Sequence, residues 1–118
     1  MKIKTRTLLR TGAVAGAMAG ALCWTAWAGP ADGLWNSNCA SCHGKDGKGN
    51  TLMGHKLHIK DLTDAKVQAA LTDEQATKDI KDGIKENGRP VMKAFGGKFN
   101  DDQVKALVAK VRSLKSGK

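Results

Sequence analysis

Cys39-Ala40-Ser41-Cys42-His43 places two thiols three positions apart and an imidazole directly after the second. On one helical turn the two sulfurs project from the same side, where each can add across a vinyl group of a porphyrin. The adjoining imidazole then lies against the ring and can bind its iron axially. A Cys-x-x-Cys-His run is the attachment signal for c-type haem. Two other chemistries use part of the same set. A thioredoxin-like dithiol needs its two cysteines at a strand-to-helix junction, and no strand is legible nearby. Zinc could take Cys39, Cys42, His55 and His58, but the histidines are closer together than the roughly three to five intervening residues of such sites, and His43 is left without a role.

An iron that only carries electrons wants a second axial ligand, and a thioether stabilises the ferrous state. Met92 is the expected ligand, because it follows the extended stretch Arg89-Pro90-Val91 and precedes the last helix, so a loop can lay its side chain over the ring. The competing reading makes Met92 a core gap-filler. Met53, His55 and His58 are the other candidate ligands.

Residues 1–28 read as a cleaved secretory leader. Lys2, Lys4, Arg6 and Arg10 precede an apolar, small-residue run, and Ala26-Trp27-Ala28 supplies the small residues that signal peptidase requires. The run is shorter than the roughly 20 apolar residues that span a bilayer, so no permanent anchor is expected once it is removed. Leu22 before Cys23 stands where lipoprotein processing needs a small residue, so lipidation is not expected. Export makes the domain, residues 29–118, periplasmic.

The whole chain has 20 basic and 11 acidic residues, a net charge of +9; setting aside the leader's four basic residues leaves 16 against 11, or +5. With neither a basic stripe nor a reader motif, no nucleic-acid partner is expected. The domain keeps only Trp35, Phe95 and Phe99 as aromatics and has no tyrosine. A chain so small and so poor in apolar bulk needs something else to fill its core. Haem would supply that mass, with Leu52, Ile59, Leu62, Leu71, Ile80, Ile84, Val91, Phe95 and Phe99 as lining.

Three helical segments must position these groups. A short one lies between Trp35 and His43, with Pro30 and Asp32 at its start. A second begins at Thr72-x-x-Gln75, a capping-box pattern, and runs through Ile80 and Ile84 to a stop at Gly88. The third starts at Asn100-Asp101-Asp102-Gln103 and buries Val104, Leu107, Val108, Val111 and Leu114 on one face. Residues 44–58 read as a glycine-rich loop, residues 62–71 as a further short helix. No sustained period-two alternation is present, so no sheet is predicted.

The order Trp35, Cys39-x-x-Cys42-His43-Gly44, Met92 and an amphipathic C-terminal helix resembles a small class I bacterial monohaem cytochrome c, over residues 31–115. The resemblance implies an all-α cytochrome c fold, three to four short helices around one covalently bound haem c. It implies that Trp35 and Gly33 pack across the last helix near Leu107, Val108 and Val111. The family often has proline directly after the methionine ligand, where this chain has Lys93, and an aromatic near Val111, absent here.

With both axial positions filled there is no open coordination site, and no carboxylate pair or nucleophile stands out elsewhere. The expectation is an electron carrier, a monomer and not an enzyme, with Lys45, Lys48, Lys56, Lys93 and Lys98 steering acidic redox partner proteins. Its alternatives are a haem protein with a vacant or labile sixth position, working as a peroxidase or gas sensor, and a haem subunit of a larger redox complex.

Overall fold

The computed structural model describes residues 30–116. The expected leader, with Cys23, Trp24 and Trp27, lies outside the described residues. Six helices and one β-hairpin follow in the order α1 (Pro30–Asn38), α2 (Ala40–His43), α3 (Leu52–Lys56), α4 (Ala65–Ala70), α5 (Asp73–Asp82), β1 (Ile84–Glu86), β2 (Arg89–Met92) and α6 (Asp101–Ser113).

Helix α6 is the spine of the molecule. Asn100 accepts from the Gln103 N–H while the Gln103 side chain accepts from the Asn100 N–H, a complete capping box. Val104, Leu107, Val108 and Val111 are buried on one face, joined by Trp35 of α1, Ala76 and Ile80 of α5, and Phe95 and Phe99. Helix α1 packs on α6, and the Lys110–Asp32 ion pair at 2.7 Å crosses that contact half-buried. On the far side, buried Gln68 of α4 donates to the Leu62 and Val111 carbonyls, and Arg112 binds Asp73 and the carbonyls of Gln68 and Leu71. These bonds tie α4, the α4–α5 link and α6 together.

The expected number of helices was three to four, and the excess comes from short ones. The first segment starts at Pro30, as expected, and is broken at Cys39 into α1 and α2. The glycine-rich loop contains α3, which Thr51 caps by accepting from Gly54 N–H. It closes with His58 at φ 52°, the Ile59 N–H reaching back to Gly54 O at 2.9 Å. That is a Schellman turn with histidine in the position glycine usually takes.

The expectation of no sheet is corrected. Helix α5 stops at Asp82 because Gly83 turns left-handed at φ 74°, and Ile84 begins a strand instead of another helical turn. Asn87 at φ 51° and Gly88 at φ 76° form the two-residue loop of the hairpin. Both central residues carry positive φ, as a type I′ turn demands. Strands β1 and β2 pair antiparallel, with Ile84 opposite Met92.

The residues expected to line the haem differ in burial within the protein itself. Ile80, Phe95 and Phe99 are buried, Ile59, Leu62, Leu71, Ile84 and Val91 are half-buried, and Leu52 is 86 % exposed. Trp35 shares a cluster with Leu107, Val108 and Val111 as the resemblance implied. Gly33 does not: it is exposed, and a side-chain carbon added there would meet nothing within 4 Å.

Candidate haem-attachment site

Helices α1 and α2 present the Cys-x-x-Cys-His run on a turn whose backbone is held from several directions. The Cys39 carbonyl accepts from the N–H groups of Cys42 and His43, at 3.1 and 2.9 Å. The His43 carbonyl accepts from Gly49 N–H at 2.7 Å, and the Cys42 carbonyl from the Thr51 hydroxyl at 2.7 Å. The Trp35 indole N–H donates to Gly44 O at 3.0 Å, and its ring lies against the His43 ring with centroids 5.7 Å apart. One buried tryptophan therefore braces the residue after the motif and touches its imidazole. Sequence reasoning missed Thr51 in this role, although a threonine just before Leu52 is a helix-cap signal.

Cys39 and Cys42 are not joined in a disulfide, and both are half-buried. Burial, with the neighbouring Cys42, pushes the Cys39 thiol up to about 11, against the pull of the Lys93 ammonium. A redox-active dithiol needs the opposite shift, toward thiolate near neutrality, so the thioredoxin reading loses its support. Among the described residues no group of three or more His, Cys, Asp and Glu side chains could hold a metal ion. The zinc set is therefore not assembled. His55 instead meets Asn50 Oδ1 at 2.8 Å, and His55 and His58 line an open cleft with Lys48, Ile59 and Asp61.

Burial holds the His43 imidazole neutral to lower pH than usual. Its Nδ1 is buried and has no hydrogen-bond partner. Neutral imidazole is the form that binds iron. Met92, half-buried at the end of β2, packs against the same apolar cluster as Cys39. The following Lys93 lies 5.5 Å from the Phe95 ring centroid, and Lys98 donates to Asn38 Oδ1 at 2.6 Å, next to Cys39. Lys93 and Lys98 thus bring positive charge toward the thiol turn. Two thiols on one turn, a neutral imidazole beside them and a thioether on the same cluster form a donor set that fits a covalently held haem.

Comparison with known proteins agrees. Residues 28–109 match the model of cytochrome c oxidase, cbb3-type, subunit III. The chain belongs to this family of c-type cytochrome domains. It is 35 % identical over 85 residues to the cbb3-type cytochrome c oxidase subunit FixP of Bradyrhizobium diazoefficiens, covering 72 % of this chain. The match spans about a quarter of that relative, 27 % of its length. Among solved structures, the KustC0563 c-type cytochrome superposes with a TM-score of 0.66 at 35 % identity, over 73 % of this chain and 98 % of that one. A point mutant of the same cytochrome gives 0.63 at 35 % identity, over 72 % and 98 %. As a cytochrome c domain the protein carries covalently bound haem c and serves haem-based electron transfer. The fold is mostly helical, as the resemblance implied, with the small hairpin added.

Proposed function

We propose that this cytochrome is a periplasmic one-electron carrier in which Cys39 and Cys42 hold the haem through thioethers and His43 and Met92 are its axial ligands. Residues 1–28 act as a leader removed on export. Bound there, haem c supplies an iron couple that takes up and returns one electron, Fe(III) to Fe(II) and back. The chain's own part is to hold still around it. Trp35, Thr51 and Gly49 fix the thiol turn, and burial keeps His43 neutral. The observation that carries the reading is the placement of Met92 on the same cluster as Cys39. With both His43 and Met92 as ligands the iron would have no open position for a substrate, which favours a carrier over a peroxidase or gas sensor.

Exposed Lys45, Lys48, Lys56, Lys93 and Lys98 supply a positive surface for acidic redox partner proteins. A second reading has a specific observation behind it: the family match and FixP are both described as oxidase subunits, so the chain would work as a haem subunit of a larger complex. Purification of the tagged protein under native conditions separates the two. A single species of its own mass supports the carrier; stoichiometric partners support the subunit.

The ligand set is tested by absorption spectra of the ferric and ferrous protein, with a pyridine haemochrome assay. A c-type haemochrome with the weak far-red band of methionine-ligated ferric haem, lost in Met92→Ala, is the expected result. A band absent from the unaltered protein would move the assignment to bis-histidine ligation or an open site.

A further inference from the structure

We infer that Gly83 is a positioning residue for Met92, the point at which α5 and the hairpin together hold the methionine against leaving the iron. The inference rests on the reading that Met92 is an axial ligand, and concerns how tightly the fold keeps it there.

The last four carbonyls of a helix lack partners within it. In α5 these belong to residues 79–82, and the chain around Met92 takes up two of them. Phe95 N–H donates to Ile80 O and Gly96 N–H to Lys81 O, both at 2.9 Å, while Gly83 N–H donates to Asp79 O. On its other side Met92 is registered opposite Ile84, across a hairpin closed by the Asn87-Gly88 turn. The methionine therefore sits between two fixed points, the β1 pairing before it and the α5 carbonyls after it. Buried Phe95 stacks on Phe99 at 5.3 Å and packs the second point into the core.

Gly83 is where the two holds meet. Its φ of 74° ends α5 and starts β1. A side-chain carbon there would come within 2.5 Å of Met92 O, 2.8 Å of Ala94 N and 3.0 Å of Lys93 C. All three are backbone atoms of the methionine segment, so nothing can rotate out of the way. Gly88 shares the positive φ, at 76°, but a carbon added there meets nothing within 4 Å. Gly83, at φ 74° and ψ −178°, has a backbone open essentially to glycine alone, so Gly83→Ala joins a backbone cost to contact with the Met92 segment; Gly96, whose φ is not positive, tests such a contact without that cost.

The test is imidazole binding to the ferric holoprotein, followed by loss of the far-red band, in Gly83→Ala and Gly88→Ala. Imidazole competes with the methionine, so its apparent affinity rises with the fraction of molecules in which Met92 is off the iron. Gly83→Ala is expected to raise that affinity by about tenfold and Gly88→Ala to leave it within about twofold of the unaltered protein. Equal effects from both, or no rise in Gly83→Ala, would overturn the assignment. Gly96→Ala is read beside them, and in place of Gly83→Ala should that variant not accumulate as holoprotein. The carbon added at Gly96 would press on Lys81 O at 2.9 Å, and the same rise is expected. Met92→Ala keeps the two readings distinct. If it matches the unaltered protein in spectrum and imidazole affinity, the ligand reading fails; if it differs while the glycine variants do not, only the positioning role fails.

Discussion

Trp35 does two jobs with one side chain. Its ring is 3 % exposed in the cluster of α6, and its indole N–H serves the Gly44 carbonyl directly behind His43. The first job was expected from the resemblance, since an aromatic at that position packs on the last helix. The second was not, because a hydrogen bond between residues 35 and 44 depends on how α1 and α2 meet at Cys39. Trp35→Phe keeps most of the ring and removes the donor, leaving a carbonyl unpaired, at an expected cost of about 1–2 kcal/mol. Trp35→Ala also opens a cavity and is expected to cost about 3–5 kcal/mol. Guanidinium unfolding of both holoproteins measures the difference; no loss in Trp35→Phe would mean that the hydrogen bond contributes nothing beyond the packing.

At the level of elements, α6 was legible because capping and burial agree along one contiguous segment. Asn100 and Gln103 satisfy each other's N–H groups, and the apolar face follows with helical period. Asn100→Ala is expected to lower stability by about 1 kcal/mol, read from thermal melts, and Gln103→Ala on top of it should cost more still, since the backbone N–H of residue 100 then loses its acceptor as well. A double variant no less stable than Asn100→Ala would show that the Gln103 bond contributes nothing by itself. Thr72 also caps its helix as expected, accepting from Gln75 N–H, but the Gln75 side chain turns to Asp79 and leaves the box incomplete. The hairpin was missed for a definite reason. Ile80 and Ile84 are four apart and satisfy helical spacing, and Gly88 reads as a helix stop. Asn87-Gly88 was the signal that argued for a two-residue hairpin loop instead. The decision fell at Gly83, where a carbon would strike the backbone of residues 92–94, a contact visible only once the hairpin has formed.

For the molecule as a whole, charge and size matter more than any one contact. The surface outside the expected leader is basic, and Lys45, Lys48, Lys56, Lys93 and Lys98 are all exposed. Lys93 and Lys98 flank the thiol turn, through the pull of Lys93 on Cys39 and the bond of Lys98 to Asn38. Exposed charges are screened beyond a Debye length of about 8 Å at physiological salt. Reduction of the ferric protein by an acidic redox partner is therefore expected to slow by about tenfold or more as salt is raised from low to high. Stopped-flow rate constants check this, and a salt-independent rate would remove electrostatic steering from the account.

The attachment motif and the capped C-terminal helix could both be read from the sequence because each depends on residues close together along the chain. Two thiols, an imidazole and a helix cap carry their chemistry in local spacing. Only the tertiary structure decided that α5 ends at Gly83, that Trp35 braces Gly44, and that His55 and His58 face a separate cleft from the thiols. Each of those outcomes depends on backbone atoms brought together from distant parts of the chain. Whether Gly83 continues a helix or turns into a strand is set by the Met92 segment lying against it, and local spacing holds no record of that contact.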